Sequence, residues 1–156
     1  PGYRGYKEKE VIRETDRLIR DIVFRNMKEA AEATRELYRD SLNAYGPSPT
    51  ARQFEQLSMR SDAIGQKIRH ATYGFTPLMH VIQVRSEALL RLLECDASIA
   101  DGISKMKNDR DEARHLMTTK EPLTESIENL RSDIACLQTL LEGRREALLG
   151  LTEAVK

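Results

Sequence analysis

The stretch LTESIENLRSDIACLQTLLEGRREALLGLTEAV, residues 123–155, decides the fold. Its large apolar residues recur at alternating spacings of four and three, and only Arg144 interrupts the series: Leu123, Ile127, Leu130, Ile134, Leu137, Leu141, Leu148, Leu151 and Val155. This heptad repeat is typical of an α-helix with one apolar stripe that other helices must cover. The stretch therefore predicts a helix that belongs to an all-α fold.

The composition of the whole chain agrees with long helices. Of 156 residues, 40% are apolar and 32% are charged, and there is no Trp. Lys plus Arg and Asp plus Glu both number 25, so the formal net charge is zero. A neutral chain has no general attraction to nucleic acid, which we do not expect as a partner, and little attraction to an anionic membrane. We expect a single helical bundle or coiled-coil domain over residues 1–156, cut from a longer protein.

Three breaks divide the chain into four predicted helices. Residues rich in Gly and Pro or in Thr and Pro lie at 46–49, 74–77 and 118–122. The expected helices are residues 6–45, 50–73, 77–117 and 122–155. The second break has two interpretations, because Gly74 and Pro77 suit a tight turn but also suit a kink within one long helix that combines the second and third.

The width of each apolar stripe predicts how the helices pack. A wide stripe indicates several neighbouring helices, and a narrow one indicates a single partner. Flanking positions are apolar in the first half of the third helix and the second half of the fourth, and polar between them. We therefore expect an elongated antiparallel bundle from which residues 103–137 project as a two-helix coiled coil. Residues 6–21 should project from the other end.

The sequence contains little that suggests chemistry. Glu112 and His115 have the Glu-x-x-His spacing of di-iron helical bundles, but such a site needs two of these motifs and further glutamates. Both residues are predicted to point away from the helix stripe. The two cysteines, Cys95 and Cys136, lack metal-ligand spacing and favour a reducing, cytoplasmic location. We expect no catalytic residues, no cofactor site and no metal site, and hence no enzyme.

One specific contact follows from folding the fourth helix back on the third. Arg144 then lies near the level of Asp96, and both residues interrupt apolar stripes. A buried pair of these two side chains would specify the register of the two helices. We therefore predict Asp96 and Arg144 as a structural polar pair.

The predicted function is a structural or scaffolding module that mediates protein–protein interaction, of the kind found in cytoskeletal assemblies. The stripes predicted to be narrow or uncovered supply the candidate partner-binding residues Val11, Ile12, Leu18, Ile19, Met106, Ala113, Met117, Leu123 and Ile127. Self-association into a homodimer through residues 6–21 is part of this hypothesis. The alternative is a helical module that binds membrane surfaces in a trafficking or membrane-shaping protein.

Overall fold

The computed structural model describes the backbone of residues 2–74 and 86–153, and the side chains of residues 14, 17, 18, 20–67 and 90–147. The described residues form four α-helices: α1 Gly2–Tyr45, α2 Pro49–Gly74, α3 Ser86–Thr119 and α4 Thr124–Glu153. The predicted all-α, four-helix fold class is confirmed. Residues 75–85, on which the choice between a turn and a kink at Pro77 depends, lie outside the described residues.

Two helical hairpins pack side by side. α1 packs against α2 and α3, and α4 packs against α3 and α2. Lys107 of α3 binds Glu29 of α1, and Arg114 of α3 binds Glu36 and Asp40, so α1 and α3 run parallel. Consequently both short connections, after α1 and after α3, lie at the same end of the bundle.

All four helices contribute to the core between these connections and the level of Val23. Phe54, Leu37, Met106 and Leu130 are among its fully buried side chains. Burial of such side chains contributes about 1.5–3 kcal/mol each, which makes this region the main source of stability. We call it the four-helix body.

The four-helix body includes the residues that were expected to project as a coiled coil. The structure corrects that detail, because residues 103–119 of α3 are bound to α1 through Lys107 and Arg114, and Arg131 of α4 lies beside Met59 of α2. The charged flanks of this narrow stripe face another helix and not solvent alone. They form ion pairs across the helix interface, so a narrow stripe here does not mean a single neighbour.

Local capping explains where the helices stop. Gly46 has φ +64° and donates its N–H to the carbonyl of Leu42, which ends α1. Ser48 Oγ accepts the N–H of Ala51 and caps α2, so this helix starts at Pro49 rather than at residue 50. At the end of α3, Lys120 adopts φ +57° and Glu121 N–H donates to the Leu116 carbonyl, a Schellman arrangement.

Two helical glycines offer a test of packing between α3 and α4. A Cβ on Gly102 would lie 2.9 Å from Cδ2 of Leu137, which is fully buried, whereas a Cβ on Gly143 would meet nothing within 4 Å. Gly143→Ala should stabilise the chain by about 0.5–1 kcal/mol through helix propensity. Gly102→Ala should instead destabilise it by about 1 kcal/mol, because overpacking outweighs that gain. Urea unfolding measures both, and equal stabilisation by the two variants would contradict the tight contact.

Candidate interaction site

Five of the predicted partner-binding residues are buried in the four-helix body. Their exposed fractions do not exceed 7%: Met106, Ala113, Met117, Leu123 and Ile127. They pack in the same apolar cluster as residues of α1 and α2. The structure therefore corrects their assignment, because a partner cannot reach these side chains while the bundle is folded.

The four candidates on α1 have a different outcome. Leu18 is 51% exposed, which leaves it available to a partner. The side chains of Val11, Ile12 and Ile19 lie outside those that the structure describes. Leu18 is therefore the member of this group that the described side chains show to be exposed.

Three further exposed apolar residues lie on the same side of the bundle as Leu18. Ile22 of α1 is 53% exposed, Leu90 of α3 is 56% exposed and Leu93 of α3 is 39% exposed. Leu18 and Ile22 are one turn apart on α1, and Leu90 and Leu93 are one turn apart on α3. We call these four residues the distal patch, because they lie beyond the level of Val23.

Heptad spacing places the two halves of the distal patch on the faces of α1 and α3 that form the ion pairs between these helices. Ile22 lies seven residues before Glu29, and Leu93 lies fourteen residues before Lys107. Glu29 and Lys107 form an ion pair between α1 and α3, with Lys107 Nζ 3.2 Å from Glu29 Oε2. Positions separated by whole heptads share one helix face. Ile22 therefore lies on the face of α1 that carries Glu29, and Leu93 lies on the face of α3 that carries Lys107, one heptad further from the ion pair.

This change from ionic to apolar residues gives the patch its distinct character. In the four-helix body the facing positions hold Glu29 with Lys107, and Glu36 with Arg114. One heptad before Glu29 and Lys107 the positions hold Ile22 and Ala100, and two heptads before them they hold Thr15 and Leu93. Exposed ion pairs suit permanent contact with water, whereas large exposed apolar side chains that lie together are typical of interaction surfaces.

Charges of both signs surround the patch. The exposed residues next to it on α1 and α3 are Glu14, Arg17, Asp21, Arg25, Arg91, Glu94 and Asp101. Arg17 lies 3.9 Å from Glu14, which is the i,i+3 support expected on an exposed helix. A rim of mixed sign does not select a strongly acidic or strongly basic partner.

The predicted pair of Asp96 and Arg144 lies close to the patch in the structure. Nε of Arg144 donates to Oδ1 of Asp96 over 2.5 Å, and both side chains are more than 90% buried. Asp96 lies one turn after Leu92, which is itself buried next to the exposed Leu93. The pair fixes α4 against α3 and thereby holds the helix that carries Leu90 and Leu93.

A second polar cluster joins α3 to α4 inside the body. Lys105 Nζ lies 2.7 Å from the Asp109 carboxylate and 2.5 Å from the Asp133 carboxylate. The Asp133 side chain is only 5% exposed. Burial raises the pKa of Asp133 above its ordinary value, the hydrogen bond from Lys105 lowers it, and the facing Asp109 adds to the rise.

The pKa values of Asp109 and Lys105 shift in the direction opposite to the effect of burial. Burial alone raises the pKa of Asp109, but hydrogen bonds from Lys105 and Asp133 hold it below its ordinary value. Hydrogen bonds to Asp109 and Asp133 raise the pKa of Lys105. One lysine therefore compensates two facing carboxyl groups, which is a structural arrangement rather than a metal site, because a cation already occupies the position between them.

Grooves also open between helices in the part of the bundle that the structure describes. One, of about 300 Å³, lies between α2 and α4 and is lined by Leu57, Met59 and Arg131 among others. Another, of about 450 Å³, lies between α1 and α2, where Arg35 and Asp62 close one side with a contact of 2.7 Å.

The described residues hold no group of three or more His, Cys, Asp or Glu side chains arranged to bind a metal ion. His115 is exposed, and the side chains of His70 and His80 are not among those described. Within residues 2–74 and 86–153, no helix combines the length and apolar character needed to cross a bilayer. The sequence matches no family model, and comparisons with curated proteins and with solved structures give no match.

Proposed function

We propose that this chain is a non-enzymatic structural module that binds another protein through the distal patch. The observation that carries the proposal is the presence of four large exposed apolar side chains on α1 and α3 beyond the Lys107–Glu29 ion pair: Leu18, Ile22, Leu90 and Leu93. The body supplies stability, and the distal part of the bundle supplies the surface. This division is what a scaffolding function requires.

The energetics favour a protein partner for this surface. Covering apolar area contributes roughly 25 cal/mol per Å², so a partner that excludes water from the patch gains binding free energy. The mixed charges on its rim, such as Arg17 beside Glu14, give no net attraction to a polyanion. Binding would therefore depend on shape and apolar contact in the centre and on individual ion pairs at the edge.

The test compares two sets of charged substitutions. Leu18→Glu combined with Ile22→Glu places two charges in the patch, while Met59→Glu is the matched control, because Met59 is 66% exposed but lies on α2. Circular dichroism should show the same helix content for both variants. In quantitative affinity capture from native cells, partners should fall at least ten-fold with the patch variant and remain with the control.

Two outcomes would contradict the proposal. Captured proteins that are the same for the unaltered chain, the patch variant and the control would show that the patch binds no partner. Pelleting with anionic vesicles that depends on Leu18 and Ile22 would show that the patch binds a membrane surface, which is the alternative function.

A further inference from the structure

We propose that the occupant of the distal patch is a second copy of this chain, paired with the first through antiparallel α1 helices. This inference rests on the proposed function, because it names the partner of the same surface. It is carried by the order of charges along the exposed face of α1.

The centre of the proposed contact is set by the two exposed apolar residues of α1. Leu18 and Ile22 have the four-residue spacing of consecutive core positions in a coiled coil. In an antiparallel pair with two-fold symmetry, Leu18 of one copy faces Ile22 of the other, and the same contact forms twice. A two-fold interface of this kind needs only one surface that is complementary to itself.

The charges flanking this centre meet that requirement. With Leu18 facing Ile22 of the second copy, the flanking residue Glu14 comes next to Lys28 of the second copy, and the reciprocal pair forms as well. The Glu14 side chain is 60% exposed and Lys28 is exposed, so both can reach across. An ion pair between Glu14 of one copy and Lys28 of the other therefore lies at each end of the apolar contact.

The same register brings Asp21 of each copy near the symmetry axis. These like charges weaken the contact, but each copy also carries Arg17 and Arg25 one turn to either side of Asp21. The number of positive side chains at the axis therefore exceeds the number of negative ones. The zero net charge of the chain adds no long-range repulsion between copies.

The α3 half of the patch lies at the right level to join this contact. In the ion pairs between α1 and α3, the numbers of the paired residues differ by 74 to 78. By that offset Leu90 and Leu93 lie beside residues 12–19 of α1. The second copy would therefore cover α3 as well as α1, close to the axis.

The first experiment measures mass by sedimentation equilibrium of the whole chain. The unaltered chain should form a dimer of two 17.8 kDa subunits. Leu18→Glu with Ile22→Glu should weaken the dimer at least ten-fold, and Met59→Glu should leave it unchanged. A monomer at all concentrations up to roughly 1 mM would overturn the second copy as the partner.

The second experiment tests the register. Glu14→Lys should weaken the dimer, and adding Lys28→Glu to it should restore the dimer. In a Cys136→Ser background, Asp21→Cys should form a covalent dimer on mild oxidation, whereas Arg39→Cys, an exposed residue of α1 in the four-helix body, should not. Equal cross-linking at both positions, or no rescue by the charge exchange, would overturn the antiparallel α1 contact.

Failure of this inference and failure of the proposed function are distinguishable. A monomeric chain that still captures partners through Leu18 and Ile22 would remove the second copy and keep the interaction module. A monomeric chain whose captured partners ignore the patch would remove both.

Discussion

Asp96→Ala should destabilise the chain by about 3 kcal/mol, because it leaves the buried Arg144 guanidinium without the carboxylate that it binds. For a chain of this size, that loss corresponds to a melting temperature lower by roughly 6–12 °C. Arg144→Met should also destabilise the chain, because it removes the guanidinium that binds the buried Asp96 carboxylate. Urea unfolding followed by circular dichroism measures both variants.

A control and a double variant separate the pair from general surface electrostatics. Arg131→Ala removes an ion pair with Glu128 that is exposed, and it should change the free energy of unfolding by less than about 0.5 kcal/mol. Asp96→Leu combined with Arg144→Met should recover part of the loss, because no isolated charge remains on either partner. An unchanged melting temperature in Asp96→Ala would contradict the structural importance of this contact.

Lys105→Met should destabilise the chain by about 1–2 kcal/mol at pH 7.5, because Asp109 and Asp133 then face each other without a cation between them. Adding Asp133→Asn should restore most of this loss, since the amide removes one of the two like charges and can donate to Asp109. Asp133→Asn alone should be neutral or stabilising at the same pH. Urea unfolding of the three variants tests the cluster as a unit.

The pH dependence of these variants has a definite sign. The raised pKa of Asp133 means that its contribution to stability is present below its ordinary pKa of 3.8 and is lost as pH rises through the raised value. Asp109 acts oppositely: its contribution is present above 3.8 and is lost as pH falls through its lowered pKa.

The two contributions change in different pH ranges, so between neutral and mildly acidic pH only the contribution of Asp133 varies, and it grows as pH falls. In Lys105→Met, a proton can replace the missing cation. The destabilisation should therefore shrink as pH falls from 7.5 toward about 4.5. A loss that is the same at both pH values would show that Lys105 acts through packing rather than through charge.

The heptad pattern is sufficient to predict the helices and part of their register. The spacing of Ile99, Ile103 and Met106 on α3, and of Ile127 and Leu130 on α4, identifies side chains that are buried in the structure. The level of Asp96 and Arg144 follows from folding one stripe onto the other. These features depend on local periodicity and on a short connection, both of which are visible in one sequence.

The arrangement of the two hairpins was not predictable in the same way. Charges at Lys107 and Arg114 suggested a solvated flank, yet their partners on α1 lie more than seventy residues away in sequence. Stripe width counts apolar neighbours and overlooks neighbours that are held by ion pairs. The same limitation led to the prediction that residues 103–137 project as a two-helix coiled coil, whereas residues 103–119 pack against α1.

The sequence pattern predicted only one residue of the distal patch, Leu18, as part of a partner-binding surface. Ile22 follows the apolar stripe of α1 by simple counting, but Val23 is the buried residue and Ile22 points outward. The signal that could have identified it is the heptad alignment of Ile22 with Glu29 and Glu36, two charged residues. Using that signal requires knowing which helix α1 faces, and only the folded arrangement provides this.

The placement of both short connections at one end has an evolutionary consequence. Most of the buried apolar core lies between those connections and Val23, and the exposed side chains of the distal patch lie beyond that level. Because their side chains are exposed, selection can alter Leu18, Ile22, Leu90 or Leu93 with little effect on the packing of the core. Binding specificity in descendants of this chain is free to diverge while the body of the molecule stays the same.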